Sequence, residues 1–99
     1  VGRERMDELL GKVIHDIGVA GDTCARAAPA GDMLGLRGAT HVLMSVSGTV
    51  GAVRLQRMAE RLNDLAHGEL AAEAEFYAAA LLTEADQVIL TLLREKERN

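Results

Sequence analysis

Apolar residues recur along this chain at alternating spacings of three and four, the period of a helix that buries one face. A first stripe runs Met6, Leu10, Val13, Ile17, Ala20, Cys24, Ala27 and predicts a helix from about Glu4 to Ala28. Pro29-Ala30-Gly31 cannot easily continue it. Asp32 is a good N-cap for a second helix, whose stripe is Leu36, Ala39, Leu43, Val46. Gly48 is the predicted stop and Thr49 the next N-cap. The third stripe is Leu55, Met58, Leu62, Leu65 and ends at His67-Gly68. The fourth is Leu70, Ala74, Ala78, Leu81, Ala85, Val88, Leu92, followed by the charged run Arg94-Glu95-Lys96-Glu97-Arg98.

Connections this short turn each helix back on the last, so the expected fold is an all-α, antiparallel up-down-up-down four-helix bundle. The first helix is its weak point. Gly11, Gly18 and Gly21 fall inside it, each costing about 1 kcal/mol relative to Ala, and predict a kink or a split.

Composition agrees with helices. Sixteen Ala and fourteen Leu stand against one Pro, one Phe, one Tyr and no Trp, and strands favour the β-branched and aromatic residues. Residues 1–99 are expected to form one domain, and the start at Val1 to be that of a piece excised from a longer protein. The net charge of −4 argues against a nucleic-acid partner. No uninterrupted apolar run approaches the ~20 residues of a bilayer span, so no membrane insertion is expected. The single cysteine, Cys24, lies on a stripe; a buried small hydrophobe and a reducing, cytoplasmic setting follow.

Advancing 100° per residue along the second helix sets His41 almost opposite Leu36, Ala39, Leu43 and Val46. His41 must then face solvent, with Arg37 and Gly38 one turn before and Met44 and Ser45 one turn after; Gly48 lies near the helix end. Leu34 and Met44 are expected on the same face as exposed apolar residues that a partner could cover. An exposed histidine on a helix is ordinarily a solvated residue. Here Gly35, Gly38 and Gly48 weaken the helix around it for no evident packing return, as though something bulky needs room.

The segment Pro29 to Ala52 resembles histidine-containing phosphotransfer (HPt) domains of bacterial phosphorelays. In that family a Gly-Asp helix start is followed by a Leu, an Ala pair, His-x-Leu-Lys-Gly-Ser and an aliphatic-Gly-Ala turn. Asp32, Leu36, Ala39, His41, Leu43, Ser47, Gly48, Thr49, Gly51 and Ala52 fall in register, and Leu55, Ala59 and Leu62 resemble the next helix. The chain departs from the pattern at Met44, where the family has Lys, and at Ser45, where it has Gly.

The resemblance implies that His41 accepts a phosphoryl group from a receiver-domain aspartate and passes it to another receiver. Response-regulator receiver domains and histidine kinase modules are the implied partners. Mg²⁺ is implied on the receiver, with no cofactor on this chain, which acts as a reactant held in position rather than a complete enzyme. Arg37 is a candidate replacement for the missing lysine, because a guanidinium pairs well with phosphate oxygens. Ser45 would keep the approach open near the phosphoryl group, Gly38 and Gly48 would give clearance, and Leu34 and Met44 would dock the partner. The isolated domain is expected to be monomeric.

Three alternatives follow from the same residues. Loss of the Lys-Gly pair could mark a module that binds a receiver without accepting phosphate. The bundle could serve only structure or oligomerisation. His15, preceded by Lys12 and Gly11 and followed by Asp16, is a second candidate phosphoacceptor, resembling the phosphorylated helix of sensor-kinase dimerisation domains. His67 beside Gly68 is a helix C-terminal residue that interacts with the dipole.

Overall fold

The computed structural model describes residues 2–98. They form four helices: α1 (Gly2–Ala27), α2 (Met33–Thr49), α3 (Val53–His67) and α4 (Ala71–Arg98), with no strand among the described residues. α1 packs on α2 and α4, and α3 packs on the same two, so the helices close a ring around one core. That core is built from the predicted stripes: Ile17, Leu36, Leu43, Leu55, Leu62 and Leu81 are wholly buried. Each such side chain contributes about 1.5–3 kcal/mol by leaving water. Cys24 is buried among them, and burial pushes its thiol from 9.0 up to about 11.

α1 runs without interruption through Gly11, Gly18 and Gly21, so the expected split does not occur. Gly21 is buried, and a β-carbon there would sit 3.6 Å from Leu82. Packing along the bundle outweighs the helix propensity of these glycines.

All three turns share one hydrogen-bond pattern, in which a residue with positive φ ends a helix and its successor starts the next. After α1, Gly31 (φ 68) is followed by Asp32, whose N–H donates to Ala27 O (2.9 Å). After α2, Gly51 (φ 70) is followed by Ala52, whose N–H donates to Ser47 O (2.9 Å). After α3, Glu69 (φ 57) is followed by Leu70, whose N–H donates to Leu65 O (3.0 Å). Asp32 caps α2 as predicted, its Oδ1 accepting from Gly35 N at 2.8 Å.

The other two turns differ from expectation. Thr49 is the last residue of α2 and not a cap, because the left-handed position belongs to Gly51 rather than Gly48; Ala52 takes the N-cap place without a side-chain bond. Gly68 keeps a right-handed conformation, and Glu69 adopts the strained one.

At 1.5 Å per residue α1 and α4 are about 40 Å long and α2 and α3 about 25 Å, so the long pair outlasts the short pair. Met6 is consequently exposed (45%) despite its place on the first stripe, and Leu70, outside the helix, is exposed as well. α4 is the one helix among the described residues long and apolar enough to cross a membrane by length and composition, with a mean hydropathy of 1.4 over 18 residues. Its Ala74, Ala78, Leu81, Ala85 and Leu92 are buried in the bundle.

Candidate functional site

α2 presents its stripe to the core and leaves His41 on its outer surface, exposed as predicted. Arg37, Gly38, Ser45 and Gly48 are exposed on the turns around it, and Leu34 is 74% exposed. Arg37 makes no ion pair among the described residues, so its guanidinium is available to an anion. Met44 differs from expectation: it is half-buried and packs against the core, because its long side chain folds back over apolar surface.

The three glycines around His41 have separate reasons. At Gly35 a β-carbon would collide with the Asp32 carboxylate that caps the helix. At Gly48 it would lie 3.1 Å from Gln56 Nε2, so the room beside Gly48 is already taken by α3. At Gly38 it would meet nothing within 4 Å. Only Gly38 leaves open space, one turn before His41.

Beside this turn a groove of about 460 Å³ separates α1 from α2, and His15, Asp16, Val19, Gly35, Gly38 and Val42 contribute to its lining. His15 is exposed there, while Asp16 is held by Lys12 Nζ at 3.0 Å. The two candidate histidines therefore belong to different helices that border one groove. His67 is the exposed last residue of α3, where a cation is favoured by the helix dipole. Among the described residues no cluster of three or more His, Cys, Asp or Glu side chains could hold a metal ion.

α3 holds α2 through polar groups that the sequence did not single out. Asn63 Nδ2 donates to Thr40 Oγ1 (2.9 Å) and to Arg37 O (3.4 Å). Thr40, wholly buried, donates in turn to Leu36 O (2.8 Å). Gln56 Nε2 donates to Met44 O at 3.5 Å. These contacts grip α2 one turn before and one turn after His41, and fix the rotation of its outer face. Asn63 lies seven residues after Gln56, a helical repeat that could have flagged them; their partners on α2 depend on the packing register. Ser47 is buried with no partner for its hydroxyl among the described residues, and nothing in the structure explains it.

No curated protein and no solved structure matches the chain. The Hpt domain family model matches residues 4–93, a span that takes in most of all four helices. Hpt domains carry out histidine phosphotransfer in phosphorelays, where they meet response-regulator receivers and kinase modules. By the extent of that match, this chain belongs to the Hpt domain family.

Proposed function

We propose that His41 is the phosphoacceptor, and that the domain relays phosphoryl groups between the aspartates of two receiver domains. The observation that carries this reading is the open space over Gly38 beside the exposed His41, on a helix whose other glycines have structural reasons. An unprotonated imidazole nitrogen is a competent nucleophile near neutral pH. It attacks the phosphorus of the aspartyl phosphate; a P–N bond forms as the P–O bond to the carboxylate breaks, and the carboxylate leaves. Transfer onward reverses these bonds on a second receiver.

The receiver supplies Mg²⁺ and the groups that stabilise the moving phosphoryl. This chain supplies the nucleophile, its orientation through the Asn63 and Gln56 contacts, and a clear approach. Arg37 pairs with phosphoryl oxygens in place of the family's lysine, and Ser45 keeps the opposite turn small. Leu34 docks an apolar patch of the receiver on the N-terminal side of His41, and the exposed edge of Met44 does so on the C-terminal side. The reading takes the bundle as antiparallel, up-down-up-down, and the domain as one module of a cytoplasmic hybrid sensor kinase.

The test is phosphoryl transfer from a phosphorylated receiver in the presence of Mg²⁺, followed by intact mass. The expected product carries one acid-labile phosphoryl group, and His41→Gln abolishes it with helicity unchanged. Uptake that survives in His41→Gln but not in His15→Gln would move the assignment to α1.

A further inference from the structure

The outward face of α4 has no part in the relay. Turning 100° per residue from Phe76 brings Glu73, Ala80, Thr83, Gln87, Leu90 and Arg94 within about 60° of it, and all seven are exposed. Phe76, the only phenylalanine of the chain, is 84% exposed, and Leu90 is 42% exposed. Phe76 and Leu90 are the large apolar side chains of this face, with Ala80, Thr83 and Gln87 between them, and an aromatic ring so fully exposed offers a surface that a partner can cover.

The charges at its ends identify what. Glu73 and Arg94 make no ion pair among the described residues. Phe76 and Leu90 lie seven residues before and after Thr83, and Glu73 and Arg94 ten before and eleven after. A twofold axis beside Thr83 therefore sets Phe76 against Leu90, and Glu73 against Arg94, twice over. Parallel pairing would instead stack Glu73 on Glu73 and Arg94 on Arg94. Ala80 and Thr83 at the crossing are small enough for the helix axes to approach closely.

We infer that this face pairs with a second copy of the chain, through antiparallel α4 helices related by a twofold axis. A single helix pair falls in the small class of interfaces, below about 1,200 Å² in total, so the association is weak and visible only at high protein concentration. At low concentration the expected monomer prevails. In the ring of helices α4 packs on α1 and α3, while His41 faces outward from α2. The pair would thus leave both His41 side chains accessible. The inference does not rest on the chemistry of His41.

The experiment is sedimentation velocity of the 99-residue chain over about two decades of concentration, from low micromolar upward, a range that brackets a weak dimer. A reversible monomer–dimer equilibrium is expected. Phe76→Ser, Arg94→Glu and Glu73→Arg should each weaken it at least tenfold, all at unchanged helicity. Glu73→Arg combined with Arg94→Glu in one chain should restore it, since the swapped charges meet again across the axis. The inference is overturned by a monomer throughout, by dimerisation indifferent to Phe76→Ser, or by a double variant as weak as the single ones. Binding of a strictly monomeric chain to phosphatidylcholine–phosphatidylglycerol vesicles, lost in Phe76→Ser, would overturn it in favour of a lipid surface. His41→Gln should dimerise like the parent chain, so failure of the relay and failure of the pairing give separate results.

Discussion

The outer faces of α2 and α4 are both exposed, yet they are built differently. Around His41 the α2 face carries Arg37, Gly38 and Ser45, with open space over Gly38, and the exposed apolar Leu34 and Val42 stand on either side of that space. The α4 face carries Phe76 and Leu90 between an acidic and a basic end. A face that meets several partners briefly needs access to one reactive atom, with apolar contacts set around that access. A face that meets its own copy needs shape and charge that match under a twofold. The contrast shows that exposure alone says little; what surrounds the exposed side chain distinguishes a reacting surface from a pairing one.

The layer between the faces should answer to neither and gives the largest effect. Cys24 is buried, and its thiol titrates at about 11 in the folded chain against 9.0 in the reference state. Between these values the unfolded chain loses this proton and the folded chain keeps it, so stability falls as pH rises from 9 to 11. The loss attributable to Cys24 is about 2–3 kcal/mol. Denaturant unfolding at both pH values should show that Cys24→Ala removes this part of the decline. An equal decline in the variant would contradict the burial argument.

The next effect separates the faces directly. Gly38→Phe fills the space beside His41 and should slow phosphoryl transfer at least tenfold while leaving self-association unchanged. Gly38→Ala should do the reverse of damage, stabilising the helix by about 0.5–1 kcal/mol because its β-carbon meets nothing. A stopped-flow transfer assay beside thermal unfolding checks both. Equal rates for Gly38→Phe and the parent chain would remove the reason given for this glycine.

A smaller effect is expected at the α3–α4 turn, away from the His41 turn. Glu69 holds a left-handed φ of 57 where the other two turns have glycine, so Glu69→Gly should stabilise the chain by about 1 kcal/mol. Urea midpoints measure it, and phosphoryl transfer should not change.

Much of this architecture was legible in the chain. The stripes predicted four helices because burial at a period of three to four is decided by the amphipathic pattern itself. Met6 failed that rule because α1 extends past the shorter helices and its first turns have only α4 beside them. The turns were harder. Between α2 and α3 two glycines compete, and the left-handed position falls on the second; between α3 and α4 it falls on Glu69, although Gly68 is adjacent. A sequence rule chooses the glycine, whereas the chain path chooses the residue.

At the candidate site, the exposure of His41, Arg37, Ser45 and Leu34 followed from helical phase alone. The hold of Asn63 and Gln56 on α2 did not, because it depends on the register of two helices. Gly35 and Gly48 looked like clearance until their neighbours, the Asp32 cap and Gln56, were in place.

The central claim is that His41 carries the phosphoryl group. Intact mass after mixing the chain with a phosphorylated receiver and Mg²⁺ tests it most directly. The account predicts one acid-labile phosphoryl group on the parent chain and on His15→Gln, and none on His41→Gln. A parent chain that binds the receiver yet gains no mass, or a His41→Gln variant that gains it, would contradict the account.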